Sequence, residues 1–243
     1  MASFCGSSGR LSYPVSILFF NGNGIERLGP ASQDGNALAT ALDKASSNLL
    51  PVRRSEGGWG DVERWQRSLT ALGTLASDEA KQPGRKMVLW ISPGWPLLIT
   101  TEARSSGKIR DTVFSEIVAL STGLRRARIT LYSIDPINAM GSSTMRWFRY
   151  RDYLKGVTKV KDADTGDLAL QVLSEQSGGR VQNYSQQYLS GELASCMADA
   201  GAYYLVSFDA APTEQTDEYH SLKITVDRPD LTVHTRASYY DHP

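Results

Sequence analysis

The sequence predicts an α/β protein whose sheet is doubly wound and mostly parallel, and whose C-terminal part is an antiparallel β meander. The apolar run Met87–Ile91 lacks polar alternation, which is typical of a parallel strand that helices cover on both faces. A helical pattern and a second apolar run, Ile129–Ile134, follow it, and this alternation predicts parallel pairing. Beyond residue 200 the pattern changes to short β-type runs between polar turns, which predicts the meander.

The N-terminal part predicts two short strands and a helix. A strand over Val15–Phe20 ends at the turn residues Asn21–Gly24, and a brief second strand covers Ile25–Leu28. Ser32 or Asp34 then supplies the N-cap of the helix that follows, because a short polar side chain there satisfies free backbone N–H groups.

The middle of the chain predicts one helix before the Met87 strand and one after it. Asp61 follows the Gly57–Gly60 loop and is predicted to cap a helix with a single apolar face. That face is formed by Val62, Trp65, Leu69, Leu72 and Ala76. The second helix runs from Val113 to Leu124 and ends in the basic residues Arg125–Arg128, which suit the negative end of the helix dipole.

The rest of the chain predicts an insertion, further α/β elements and the meander. Residues 138–164 are aromatic and basic without a clear period, and therefore predict an insertion. A helix that ends at Gly178-Gly179, an edge strand near Arg180–Asn183 and a last helix up to Ala200 follow. The predicted strands of the meander are Tyr203–Phe208, His220–Val226 and Leu231–Thr235. The predicted regions are a flexible segment 1–12, an α/β domain 13–200 and a meander 201–243 packed on that domain.

Composition restricts the classes of partner. The 243 residues contain 26 Lys and Arg and 26 Asp and Glu, so no electrostatic footprint for nucleic acid is expected. No long apolar run and no export-signal pattern occur, so we expect no membrane insertion. Cys5 and Cys196 are far apart and belong to no zinc-type cluster, and Cys196 is expected in the core.

Several segments, taken in order, resemble one known family. The longest is Gly84–Gly94, which contains the Met87 strand and the Ser92-Pro93-Gly94 turn. The others are Leu124–Ala127, Leu131–Pro136, Leu173–Arg180, Ala202–Leu205, Tyr219–Ile224 and Arg236–Tyr240. In this combination, the chain from about Tyr13 to its C-terminus resembles the von Willebrand factor A-related domain proteins of the acidobacterial type.

The resemblance implies a Rossmann-like sheet that binds a protein ligand at the carboxyl ends of its strands, in intact members through Mg²⁺ or Mn²⁺. The family's metal site needs an Asp-x-Ser-x-Ser loop, a later Thr and an Asp after the fourth strand. This chain has no Asp-x-Ser-x-Ser, its Gly57–Gly60 loop offers no Thr, and Ser92 stands where the last Asp is expected. The resemblance therefore implies a degenerate adhesion site without a metal or other cofactor, although a rearranged divalent-metal site is left open.

The resemblance also bears on the N-terminus and on location. Val15–Phe20 resembles the family's second strand, so the first strand and first helix have no counterpart in this sequence. Loss of a central strand is expected to leave neighbouring strands with unpaired edges, unless the sheet closes differently. Family members carry export signals, which implies an extracytoplasmic or secreted location, whereas this sequence, if complete, predicts a cytoplasmic one.

Four residues are candidates for ligand binding because they lie in or beside loops that follow strands: Asn21, Trp59, Ser92 and Trp95. Trp95 has two interpretations, an exposed anchor for a protein partner or a plug beneath its own loop. Asp162, Asp164 and Asp167 lack the later Gly and Glu of a calcium loop, and are interpreted as a solvated loop that caps the next helix.

The function expected from these observations is a non-enzymatic interaction or adhesion module that binds an unidentified protein. The alternative is a small-molecule-binding or hydrolytic α/β enzyme that uses the loop around Ser92. No Gly-x-Ser-x-Gly elbow supports a nucleophilic serine, and His220, His234 and His242 all lie far from Ser92 in sequence.

The degenerate metal site predicts that divalent ions do not stabilise the protein. We expect the same thermal unfolding midpoint in chelator and in excess Mg²⁺, Mn²⁺ or Ca²⁺, because only an ion that binds the native state raises the midpoint. Differential scanning calorimetry checks this. A midpoint that rises with one of these ions would show a rearranged metal site.

Overall fold

The computed structural model describes residues 9–21, 24–46, 58–92, 94–95, 107–136, 149–183, 189–201, 203–210, 213, 215–228 and 230–241. The chain divides into two compact units, one of Met1–Gly60 with Gln187–Ala202 and one of Asp61–Gln186 with Tyr203–Pro243. The strands are β1 (Arg10–Val15), β2 (Leu18–Asn21), β3 (Gly24–Arg27), β4 (Ser32–Asp34), β5 (Lys86–Ile91), β6 (Ile129–Asp135), β7 (Val181–Asn183), β8 (Glu218–Ser221) and β9 (Ser238–Asp241). The helices are α1 (Gly35–Ser46), α2 (Gly58–Ala80), α3 (Gly107–Arg126), α4 (Leu170–Gln176) and α5 (Leu189–Gly201), with short 3-10 helices at Tyr150–Tyr153, Val160–Asp162 and Thr165–Leu168.

The first unit contains two antiparallel strand pairs. β2 pairs with β3 from Leu18–Arg27 to Asn21–Gly24, as expected for the predicted turn. β2 therefore lies in a local hairpin and not in the parallel sheet that the resemblance implied for Val15–Phe20. β1 pairs with β4 and begins at Arg10, so residues 10–12 are strand and not flexible tail.

Asp34 caps α1 as predicted. Its Oδ1 accepts hydrogen bonds from the backbone N–H groups of Asn36 and Ala37, each at 3.0 Å. These are two of the N–H groups that a helix leaves without an internal acceptor, so the carboxylate fixes where α1 starts.

The second unit is built on a three-stranded parallel sheet in the order β5-β6-β7. α3 connects β5 to β6, and α4 precedes β7. The α/β class and the parallel pairing are confirmed, but the described residues show three parallel strands and no wider doubly wound sheet. The antiparallel pairing of β8 with β9 confirms part of the predicted C-terminal meander.

The buried strand of this sheet is β6, whereas β5 lies at an edge. Among the described residues β5 pairs only with β6, its side chains are half-buried, and Ile91 is 45% exposed. The prediction that helices cover Met87–Ile91 on both faces is therefore wrong. A run of apolar residues does not reveal strand order, and β6, with a similar run, is the strand with neighbours on both edges.

Helices α2 and α3 each supply four buried residues to the main hydrophobic core of the second unit. The predicted α2 face is confirmed by buried Trp65, Leu69, Leu72 and Ala76, and α3 contributes Val113, Ile117, Leu120 and Leu124. α2 begins at Gly58, so most of the predicted Gly57–Gly60 loop is helical; the intrinsic cost of glycine, about 1 kcal/mol each, is offset by packing of the long helix.

Lys86 ties the ends of α2 and α3 to the start of β5. Its Nζ donates to the carbonyl oxygens of Glu79 at 2.7 Å, Gln82 at 2.6 Å and Ala127 at 3.1 Å. These carbonyls follow the last turns of two helices, where the backbone lacks donors and the helix dipole favours a cation. One ammonium group therefore supplies hydrogen-bond donors to the C-terminal ends of both helices.

The Gly178-Gly179 turn brings β6, α4 and the C-terminal segment together. A Cβ on Gly179 would overlap the carbonyl oxygen of Leu131, and one on Gly178, whose φ is +89°, would lie 2.6 Å from the carbonyl carbon of Thr235. Just before this turn, Ser177 Oγ accepts a hydrogen bond from the Leu131 N–H at 2.9 Å. β7 pairs with β6 only from Ser133 onward, so the Ser177 side chain serves a backbone group of β6 that β7 does not contact. Only glycine allows backbones to approach this closely.

β8 and β9 form the base of a hairpin. The ladder joins Glu218 with Asp241, and the N–H of Leu222 donates to Ala237 O at 2.7 Å in the same register. At the far end the N–H of Leu231 donates to Arg228 O at 3.2 Å, again in this register. Of the predicted strands, His220–Val226 is strand only at His220–Ser221 and Leu231–Thr235 is not strand, because the segment that pairs with β8 is β9, Ser238–Asp241.

Gly179→Ala tests the close approach to β6. We expect it to lower the free energy of unfolding by about 3 kcal/mol or more, because the methyl group displaces the backbone of a central strand. Urea unfolding measures this change.

Gly73→Ala, in α2, is the matched control. Its added Cβ would lie 3.9 Å from Leu120, an ordinary contact, so we expect no loss and a gain of up to about 1 kcal/mol. Equal stability of the two variants would contradict the proposed role of the turn.

Candidate functional site

The carboxyl edge of the parallel sheet brings Ser92 and Asp135 side by side. Ile91 pairs with Ile134, so the next residues in register are Ser92 and Asp135, and the Ser92 N–H donates to Ile134 O at 3.0 Å. Asp135 is 2% exposed. Ser92 therefore lies where ligands bind in open α/β sheets, as the sequence predicted.

The hydroxyl of Ser92 has a structural partner. Ser92 Oγ accepts from the Gly94 N–H at 3.2 Å, which closes a serine turn. Both hydrogen bonds of Ser92 with described residues involve backbone groups, so no general base accepts its proton within that part of the chain. His220 instead stacks on Tyr239, with ring centroids 4.9 Å apart. This arrangement gives no support to a nucleophilic Ser92.

Trp95 is a core residue. It is 3% exposed and contacts Trp90 edge to face, with ring centroids 5.4 Å apart, as in the second of its two interpretations. Asn21 ends β2 opposite Gly24 in the first unit, while Trp59 lies in the first turn of α2 and its side chain is outside the described residues. Asn21 and Trp59 thus belong to the first unit, and Ser92 and Trp95 to the second.

Among the described residues, the most exposed large apolar side chains lie in the Tyr203–Phe208 segment. Tyr204 is 95% exposed and Leu205 is 86% exposed, and the other apolar members are Tyr203, Val206 and Phe208. The sequence predicted a strand of the meander here, but among the described residues this segment has no strand partner. It therefore presents side chains on both faces to solvent.

Contacts at both ends hold this segment against the second unit. At its start the guanidinium of Arg85 lies over the ring of Tyr203, 5.1 Å from the centroid. At its end the ring of Phe208 lies 6.0 Å from that of Tyr239. The guanidinium of Arg125 is 5.8 Å from the same Tyr239 ring. Cation–π and aromatic contacts thus hold the two ends of the Tyr203–Phe208 segment, whereas the side chains of Tyr204 and Leu205 between them are exposed.

The hairpin adds a second exposed apolar face. Its exposed apolar residues are Ile224, Val226, Leu231 and Val233. Continued without a slip, the hairpin register places Val226 opposite Val233 and puts both on the face of Tyr239. Phe208 packs on that Tyr239, so the Tyr203–Phe208 segment joins this face of the hairpin at its base.

Sequence reasoning missed this surface because it placed Tyr203–Phe208 as a paired strand of the C-terminal meander. The available signal was the run Tyr203–Val206, four consecutive apolar residues without the polar alternation of a half-buried meander strand. Such a run fits a strand covered on both faces, and none of the described elements supplies that cover.

Asp167 and Arg236 are the ionisable groups most affected by burial. Burial raises the pKa of the Asp167 carboxyl to about 7, opposed by the hydrogen bond that Asp167 Oδ2 accepts from the Asp164 N–H at 2.8 Å. Burial, and then repulsion from Arg125, lowers the pKa of Arg236 to about 10. The acidic loop does not cap α4, whose N-cap Ala169 offers no side-chain acceptor; Asp164 instead caps the 3-10 helix Thr165–Leu168, and Asp167 is buried and not solvated.

Comparisons with protein-family models, with characterised protein sequences and with solved structures gave no match to this chain. In the described part of the chain, no three His, Cys, Asp or Glu side chains cluster in a way that could hold a metal ion. None of its helices is both long and apolar enough to cross a membrane.

Asp167→Asn tests the buried carboxyl. Because its native pKa is about 7 and its unfolded pKa is about 4, the wild type loses up to about 4 kcal/mol of stability as pH rises from 4 to 7. Asn stays neutral and can still accept the Asp164 N–H, so we expect the variant to gain stability relative to wild type across this range. Urea unfolding at several pH values measures the difference, and parallel pH profiles would contradict the raised pKa.

Proposed function

We propose that this protein is a non-enzymatic interaction module of the von Willebrand factor A type, and that the Tyr203–Phe208 segment is its principal contact with a protein partner. The observation that carries the proposal is the exposure of Tyr204 and Leu205, at 95% and 86%, beside three further exposed apolar residues. Soluble proteins rarely leave a large continuous apolar patch in water unless it is covered by a partner.

The composition of the segment favours a protein partner. Burial of apolar surface contributes about 25 cal/mol per Å², so covering a tyrosine and a leucine that start almost fully exposed is strongly favourable. Tyrosine is also among the residues that dominate binding energy at protein interfaces. The arginine contacts at Tyr203 and near Phe208 reduce the entropy that the segment loses on binding.

The carboxyl edge of the sheet is a secondary part of the proposal. Ser92 offers a neutral hydroxyl where the related metal sites use a carboxylate, which supports an adhesion site that has lost its ion. Asn21 and Trp59 stay predicted contacts, whereas buried Trp95 supports the loop from within. An extracytoplasmic location, implied only by the family resemblance, belongs to the same proposal.

The double variant Tyr204→Ser, Leu205→Ser tests the proposal. Both side chains lie in solvent, so we expect less than about 0.5 kcal/mol change in unfolding free energy but at least about thirtyfold weaker retention of the partner. The measurement is affinity purification from extracts of the cells that produce the protein, followed by titration of the protein recovered.

Ile109→Ser is the matched control, since Ile109 is an exposed apolar residue on α3. A partner retained by wild type and by this control, but lost by the double variant, supports the proposal. Identical retention by all three proteins would overturn it.

A further inference from the structure

The backbone of the Tyr203–Phe208 segment has no hydrogen-bond partner in the part of the chain that the structure describes. Among the described residues, the main chain from Tyr203 to Ala210 makes no hydrogen bond, and every side chain in this stretch is exposed. Unpaired N–H and C=O groups in an ordered apolar segment are a template for one more strand.

The ends of this template are already positioned. Arg85 holds Tyr203, and Phe208 packs on Tyr239 at the base of the hairpin. Between them lie Tyr204, Leu205 and Val206, whose side chains alternate between two faces if the segment is extended. A partner that adds as a strand can therefore bury apolar side chains at alternate positions.

An arginine lies near each end of the template, Arg85 at Tyr203 and Arg125 at the Tyr239 ring on which Phe208 packs. The C-terminal end of α3 carries Arg125 and Arg126, followed by Arg128, and Arg236 lies close enough for Arg125 to lower its pKa. Arg236 donates to the Ile129 carbonyl at 3.2 Å. Within the described residues, no carboxylate forms an ion pair with Arg125, Arg126, Arg128 or Arg236. Asp209 follows Phe208, and Glu218 and Asp241 are paired at the base of the hairpin, so the positive charge near the template comes specifically from the arginines.

We infer that the Tyr203–Phe208 segment binds an extended acidic peptide of a partner protein by strand addition, with apolar side chains at alternate positions and carboxylates directed to the arginines at the end of α3. The inference rests on the proposed function and specifies its partner. Backbone hydrogen bonds supply affinity, alternate apolar side chains supply register, and the carboxylates discriminate against neutral and basic segments.

A single-stranded nucleic acid fits the same observations less well. It would use the arginines and stack on Tyr204, but it offers no regular partner for a row of free amide groups, and Leu205 and Val206 have no flat face for a base. The zero net charge of the chain also provides no extended track for phosphates.

Synthetic peptides test the inference with the full chain. We expect a short peptide of alternating valine and glutamate to bind at least about tenfold more tightly than one of alternating valine and lysine. Its binding is expected to weaken with salt and to slow the hydrogen exchange of the Tyr204, Leu205 and Val206 amides. Isothermal titration calorimetry and exchange NMR measure these effects.

Two arginine substitutions test whether the positive charge at the end of α3 contributes to peptide binding. Arg125→Gln should weaken binding of the glutamate peptide several-fold, while Arg67→Gln should leave it unchanged, because Arg67 is exposed on α2 and pairs with Glu63. The same peptide with methylated backbone nitrogens should fail to bind, since it cannot complete the hydrogen-bond ladder.

The following results would contradict the inference, either in one of its parts or as a whole. Equal binding of the lysine peptide removes the acidic preference, and equal binding of the methylated peptide removes strand addition. Competition by an oligothymidylate would assign the surface to nucleic acid, and concentration-dependent dimerisation lost in the double serine variant would assign it to a second copy. If no peptide binds but a cellular partner still depends on Tyr204 and Leu205, the inference fails and the proposed function stands.

Discussion

The second unit depends on a close contact between backbones at Gly178-Gly179. At this turn the chain passes so near to Leu131 of β6 and to Thr235 of the hairpin that neither glycine has room for a Cβ. Ser177 and Arg180 flank it, and each hydrogen-bonds to the β6 backbone. The central strand, the last turn of α4 and the C-terminal hairpin are thus held in one arrangement by excluded volume and by hydrogen bonds that only a side-chain-free turn allows.

The position of the hairpin determines what lies inside and what faces solvent. The Ala237 N–H donates to the carbonyl of Gln176 at 3.1 Å just before β9 begins, and Tyr239 and Tyr240, as consecutive residues of β9, lie on its opposite faces. Tyr240 enters the core, where its hydroxyl donates to Val157 O at 2.8 Å and burial raises its pKa. Tyr239 faces the other way and receives Phe208 and Arg125. The exposed Tyr203–Phe208 segment is therefore located by the same contacts that complete the core.

The sequence predicted those elements whose pattern is local. The apolar face of α2, the cap at Asp34 and the β2–β3 turn follow from side-chain spacing and turn chemistry within a few residues. It misplaced elements whose environment depends on distant segments: Met87–Ile91 became an edge strand and the loop residue Asp167 became buried. For Trp95, both interpretations were consistent with its sequence, and packing against Trp90 decided between them.

The sequence by itself determined the α/β class, the parallel strands at Met87–Ile91 and Ile129–Ile134 and a β-rich C-terminal end, because periodicity and turn residues are properties of short segments. Only the tertiary structure decided that Tyr203–Phe208 lacks a strand partner among the described residues and that its ends lie near Arg85 and Arg125. Exposure and local charge depend on which segments become neighbours. That depends on strand order and close backbone contact, which no local pattern encodes.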